Sequence, residues 1–171
     1  HIVNIGCEAC HGPGSAHILG GGDPEEILAP SGLDTDDSNA ICQQCHVRVK
    51  SVPNGTHDWP YNDATQTSWI PGRTEAPITA FYTDAQGLWP DGKNPKQHHQ
   101  QWMSLYESSK PTFVFHPIKC VECHSAHRGG KHMIVGDIED EGLTIPTEND
   151  NNTLCLACHA THGAFEELTK E

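Results

Sequence analysis

The sequence predicts a single domain that is mostly irregular, with short α-helices and little or no β-sheet. Three observations lead there. The 171 residues have the length of one domain, yet only 35% are hydrophobic, and 16 glycines and 12 prolines interrupt them. From Val52 to Asn94 the chain is dominated by Pro, Gly, Asn, Asp and Thr, which is loop chemistry. Finally, one pentapeptide pattern occurs four times: Cys7-Glu8-Ala9-Cys10-His11, Cys42-Gln43-Gln44-Cys45-His46, Cys120-Val121-Glu122-Cys123-His124 and Cys155-Leu156-Ala157-Cys158-His159. A chain this polar cannot offset its ordering entropy from its own side chains, so a group held by the repeated motif must supply the rest of the core.

C-x-x-C-H is the attachment signature of c-type haem. Two thiols three positions apart reach the two vinyl groups of one porphyrin, and the histidine that follows becomes the proximal iron ligand. One copy alone is compatible with half a zinc site or a redox pair. Four copies that use all eight cysteines select haem over zinc ribbons and disulfides. The expected complement is four covalently attached haems c, with Cys7, Cys10, Cys42, Cys45, Cys120, Cys123, Cys155 and Cys158 as thioether donors. His11, His46, His124 and His159 are then the proximal ligands. Short helices and irregular segments should wrap a stack of these haems, and the polypeptide should not fold without them.

The motifs begin at positions 7, 42, 120 and 155. This spacing suggests a haem pair in 1–50, a connecting loop and helix in 51–115, and a second pair in 116–171, all within one tetrahaem domain. Asp23-Pro24-Glu25-Glu26 reads as a helix start, with Asp as cap, Pro in the first turn and acids at the positive end. Gly20-Gly21-Gly22 is a turn. Asp36-Asp37-Ser38-Asn39 caps a short helix that delivers Cys42 to His46. A short strand is expected at Ile78 to Tyr82, with Trp59, Tyr61, Trp69, Phe81, Tyr82 and Trp89 as packing points against haem edges.

Lys96 to Lys110 has the strongest helical pattern, stopped by Pro111. His98, Trp102 and Leu105 share one stripe; His99, Met103 and Tyr106 share the next. Asn149 to Thr153 caps a helix carrying the fourth motif, and Gly163 to Glu171 forms a short last helix.

The formal charge of −13 argues against nucleic acid and anionic membranes as partners. No apolar run approaches the ~20 residues of a membrane span. His1 reads as a processed or trimmed N-terminus, because the first motif follows almost at once. Covalent haem attachment takes place outside the cytoplasm, which points to an exported protein, extracellular or at the cell surface, with the periplasm as the alternative. The sequons Asn54-Gly55-Thr56 and Asn151-Asn152-Thr153 are weak glycosylation signals.

Thirteen histidines include nine beyond the proximal four. Imidazole on both faces keeps iron six-coordinate and low-spin, with little rearrangement on reduction and no vacant position for a substrate. The candidates for the second axial position are His17, His98, His116, His127 and His162. His17, His127 and His162 lie close behind their own motifs, so each can reach a neighbouring haem more easily than the far face of its own. His1, His57, His99 and His132 read as surface or hydrogen-bonding histidines. Met103, on a helical stripe, reads as packing.

The stretch Gly6 to His17 resembles one in multihaem cytochromes related to the electron acceptors of hydroxylamine oxidation, and so does Ile41 to Arg48. Trp89-Pro90-Asp91-Gly92 followed by His98-His99-Gln100-Gln101-Trp102 is similar to that family too, as is Cys120 to His162. Many relatives carry a histidine shortly after the helix, where this chain has Ser109-Lys110-Pro111; His116 or a residue elsewhere takes that part. A compact four-haem chain also resembles the subunits of extracellular cytochrome filaments, the microbial nanowires. That resemblance implies haems in one continuous file, bis-histidine ligation and one ligand donated across the subunit joint, here His17.

Three functions compete. The first is a non-enzymatic electron-transfer protein that polymerises with other copies of itself into a conductive filament and passes electrons to redox partner proteins or extracellular acceptors. The second is a monomeric periplasmic shuttle. The third is a reductase of a small nitrogen oxyanion, which needs an open iron position; related reductases often signal it with lysine in place of a motif histidine. All four motifs here end in histidine.

Overall fold

The computed structural model describes residues 5–83, 86–107, 117–127, 136–140 and 143–145. The chain divides into two compact units, His1–Lys119 and Cys120–Glu171.

In the first unit, helix α1 (Glu8–His11) carries the first motif and α2 (Ser15–Leu19) follows it. Single turns of 3-10 helix occupy Pro24–Glu26 and Pro30–Gly32, and α3 (Thr35–His46) ends on the second motif. The Asp23 carboxylate caps the first of these turns through the Glu25 N–H, as the sequence predicts. α3 starts slightly earlier than expected. The Asp34 carboxylate accepts from the Asp37 N–H at 2.9 Å, and the acids Asp36 and Asp37 then lie in the first turn, at the positive end of the helix. Several adjacent residues could cap this helix; the one whose backbone is extended does so.

Ala40 and Ile41 of α3 bury against Trp69, Ile78 and Phe81, with Cys10, Leu28 and Leu33 packed at the edge. Fully burying a side chain such as Ile41 stabilises by about 1.5–3 kcal/mol. Trp69 and Phe81 therefore belong to a polypeptide core, while Trp59 and Trp89 stay about half exposed. β1 (Lys50–Ser51) pairs antiparallel with β2 (Tyr82–Thr83), Lys50 opposite Thr83 and Ser51 opposite Tyr82. The strand expected at Ile78 to Tyr82 is mostly a 3-10 turn, Ile78–Phe81. Ile78 and Phe81 are the buried pair of that turn, and three-residue spacing puts them on one face of a 3-10 turn but on opposite faces of a strand.

The loop after β1 is ordered by its own polar side chains. The Asp63 carboxylate accepts from Ser51 Oγ at 2.8 Å, Asn54 Nδ2 at 2.9 Å and Thr56 Oγ1 at 3.0 Å, and from the Asn54 and Thr56 N–H groups. Partial burial works to raise its pKa, but the donors from Thr56, Ser51 and Asn54 outweigh burial and hold it down to about 2. The Lys50–Asp58 ion pair adds a surface clasp.

The helix expected over Lys96–Lys110 is α4 (Gln101–Glu107). His99 has φ 59°, a left-handed conformation that no helix contains, so the helix starts after it. His98 and His99 precede the helix rather than riding on it. Trp102 and Tyr106 keep the expected neighbouring stripes, with ring centres 5.8 Å apart.

In the second unit, α5 (Cys120–Cys123) carries the third motif, and β3 (Ile138–Asp140) pairs antiparallel with β4 (Leu143–Ile145). The fourth motif (Cys155, Cys158, His159), His116, His162, Asn151 and the expected C-terminal helices lie outside the described residues. Among the described residues, short helices, two small two-stranded pairings and irregular chain make up the fold class the sequence predicts. Among the described residues no helix is long and apolar enough to cross a membrane.

Candidate haem-binding sites

Each described motif puts its two cysteines on or beside a short helix. The three residues from one cysteine to the next are just under one turn of α-helix, which turns both thiols toward the same side. Among the described residues, Cys7, Cys10, Cys42, Cys45, Cys120 and Cys123 are not joined in disulfides. In the first unit they cluster: burial, then the thiols of Cys42, Cys45 and Cys7, push the Cys10 thiol up, and burial followed by Cys42 pushes up Cys45.

The first two motifs are joined directly. Gln44, a variable position of the second, donates from Nε2 to the Ala9 carbonyl of the first at 2.7 Å and to the Ile41 carbonyl at 2.8 Å. Glu8, a variable position of the first, accepts the Gly14 N–H at 2.8 Å ahead of α2. Gly12 follows His11 at φ 67°, and a Cβ there would stand 2.5 Å from the Pro71 carbonyl oxygen. Only glycine fits that turn.

The histidine rings carry the clearest geometry. His11 Nδ1 lies 2.6 Å from the Leu28 carbonyl oxygen, and the Leu28 N–H returns to the His11 carbonyl. His17 Nδ1 lies 2.7 Å from the Asp23 carbonyl oxygen, and His46 Nδ1 lies 2.9 Å from Gln101 Oε1. An oxygen of this kind only accepts, so Nδ1 is the donor in all three rings, which is the tautomer that in a neutral imidazole puts the lone pair on Nε2. That tautomer, held by an oxygen on the far nitrogen, is the one a metal-ligating histidine uses. The thiols and these rings therefore fit haem c. Leu28 and Pro71, which frame His11 and Gly12, also line an open cleft of about 270 Å³ with Leu33, Ile41 and Trp69. The cleft gives the first motif an apolar surface beside it.

His17 is half-buried on α2, between that anchored Nδ1 and the exposed Ile18 and Leu19. His98 and His99 are both exposed near His46: their rings meet edge-on at 4.6 Å, and the His99 ring centre is 6.5 Å from that of His46. His124 and His127, in the second unit, are exposed. Among the described residues no three His, Cys, Asp or Glu side chains converge as a separate metal cage.

Sequence reasoning did not single out Gln44, Gln101 or the Leu28 carbonyl. A backbone carbonyl has no sequence signal. Gln101 lies within a stretch quoted for its histidines, and Gln44 occupies a variable motif position whose neighbours mask it.

No family model matches the chain. It is 26% identical over 161 residues to the multiheme cytochrome MtrA of Shewanella baltica (strain OS185), covering 93% of this chain and 43% of that protein. It is 25% identical over 176 residues to the C-type polyheme cytochrome OmcC of Geobacter sulfurreducens (strain ATCC 51573 / DSM 12127 / PCA), covering 92% of this chain and 22% of that protein. The crystal structure of the outer cell wall cytochrome OcwA aligns with a TM-score of 0.44 and 26% identity, over 94% of this chain and 33% of that one. The chain thus spans less than half the length of the curated relatives it matches. With repeated C-x-x-C-H motifs along its length and relatives of this kind across nearly all of it, the chain is a multihaem c-type cytochrome.

Proposed function

We propose that the chain is an electron carrier with four covalently attached haems c in a single tetrahaem domain, and that it performs no bond chemistry. The observation that carries this is the state of the rings. All four motifs end in histidine, and His11, His46 and the candidate second ligand His17 each have Nδ1 on an oxygen acceptor, the arrangement in which a histidine ligates a metal through Nε2. Haem supplies the one-electron redox couple; the chain's residues set where it sits and how little it rearranges. Gln44 holds the first two motifs against each other, which suits electron hopping between haems within about a nanometre. His11, His46, His124 and His159 are the proximal ligands of this reading, with His17, His116, His127, His162 and one of the adjacent pair His98 and His99 as the candidates opposite them.

The sharper form of the proposal is a polymerising subunit of an extracellular conductive filament. Support comes from α2, where His17 stands beside Ile18 and Leu19, 76% and 88% exposed. A neighbouring copy that took His17 as a ligand would cover both side chains, and a head-to-tail contact of this kind extends into an open filament wherever its rotation does not close a ring. Ferric protein should show only low-spin haem by electron paramagnetic resonance; a stoichiometric high-spin signal would favour the reductase instead. Native, haem-loaded protein should form micrometre-scale fibres under negative stain. His17→Ala should abolish them while leaving every haem attached. A clean monomer from the wild type would mean a diffusing periplasmic shuttle.

A further inference from the structure

We propose that His99 is the second axial ligand of the iron held by His46. The inference rests on the reading that Cys42, Cys45 and His46 hold a haem. It prefers His99, which the sequence reads as a surface or hydrogen-bonding histidine, to its neighbour His98, which the sequence offers as a second ligand without tying it to any one haem.

The His46 ring is fixed by Gln101, whose Oε1 takes the Nδ1 proton at 2.9 Å, so Nε2 is the nitrogen left for the metal. An imidazole nitrogen lies about 2.0 Å from a bound first-row metal and about 1.1 Å from its own ring centre. Two rings that face each other across one metal therefore have centres about 6 Å apart. The His46 and His99 ring centres are 6.5 Å apart, with planes at 83°. His98 and His99, by contrast, are 4.6 Å apart, which is direct ring contact with no room for a metal between them.

The backbone gives an independent sign. His99 adopts φ 59°, a conformation that an L-residue with a side chain rarely takes, directly before α4 begins. Backbone strain of this kind persists where surrounding structure enforces it, and it clusters at functional sites. The same turn brings Gln101, two residues on, to His46. One tight segment thus delivers both the hydrogen-bond partner of the His46 ring and the neighbouring His99 ring. His98 only meets the His99 ring edge-on, at 4.6 Å.

The near-perpendicular planes give the proposal a spectroscopic signature. Crossed axial imidazoles produce a highly anisotropic low-spin resonance, whereas parallel ones produce a rhombic signal. The experiment uses the holoprotein, with haem on the Cys42–Cys45 peptide verified by mass spectrometry. His99→Ala should convert one haem in four to the high-spin form and abolish one highly anisotropic signal, and added imidazole should restore low spin. His98→Ala should leave every haem low-spin. Should His99→Ala fail to accumulate, His99→Met keeps a ligand in place and should raise the potential of one haem alone. High-spin haem in His98→Ala but not in His99→Ala, or in neither, would overturn the assignment. An unmodified Cys42–Cys45 peptide in the wild type would overturn the haem reading beneath it.

Discussion

Replacing Gln44 by Met tests whether the two motifs of the first unit are held together by the chain itself. The substitution keeps length, volume and helix propensity on α3 but removes both bonds of Nε2, to the Ala9 carbonyl at 2.7 Å and the Ile41 carbonyl at 2.8 Å. A neutral hydrogen bond contributes about 0.5–1.5 kcal/mol net, so the pair is worth about 1–2 kcal/mol after local adjustment. For a chain of this size each kcal/mol moves the midpoint by about 2–4 °C, which gives a fall in Tm of about 2–8 °C. Circular dichroism of the holoprotein in the Soret region reads both stability and haem–haem geometry. Gln44→Glu, which cannot donate and sets a carboxylate against the Ala9 carbonyl, should lose at least as much. Both variants should also alter the coupled Soret signal of the first two haems. An unchanged Tm and Soret couplet in both would refute the idea that Gln44 sets the spacing of the two motifs.

Two further perturbations probe the frame around these sites. The Asp63 carboxyl, held down to about 2 against ~3.9 in an unfolded chain, stabilises the folded loop fully above pH ~4. That contribution is lost as pH falls from about 4 through about 2. Amide exchange over residues 51–63 should therefore accelerate selectively across that window, and Asp63→Asn should remove the acid dependence. Gly12→Ala forces a side chain into φ 67° and to within 2.5 Å of the Pro71 carbonyl oxygen. It should cost about 1–3 kcal/mol. Thermal unfolding and the low-spin haem fraction measure it, and a neutral result would show that this turn does not fix His11.

The fold class and the helix that delivers Cys42 to His46 were legible because they rest on local signals: composition, turn residues and capping acids. The Asp23 cap was legible for the same reason. Legibility ended where tertiary context decides. Lys96 to Lys110 has unbroken helical periodicity, but His99 takes a left-handed backbone, and no propensity foresees a strained residue in a good helix pattern. Ile78 to Tyr82 has the aromatic and β-branched content of a strand, yet burying Ile78 and Phe81 together requires the tighter turn. The partners of the histidine Nδ1 atoms were invisible because a carbonyl belongs to every residue type. The long loop was read as held by haem faces, whereas Asp63 and its ring of donors already order its first part.

The central claim is four covalent haems on one chain, and the intact mass of the native protein tests it most directly. Each haem adds about 0.6 kDa to the 18.7 kDa polypeptide. The account predicts a single species about 2.5 kDa above the apoprotein, with peptide mapping placing one haem on each cysteine pair. A mass matching the bare chain, or one short of four haems with an unmodified motif, would contradict it.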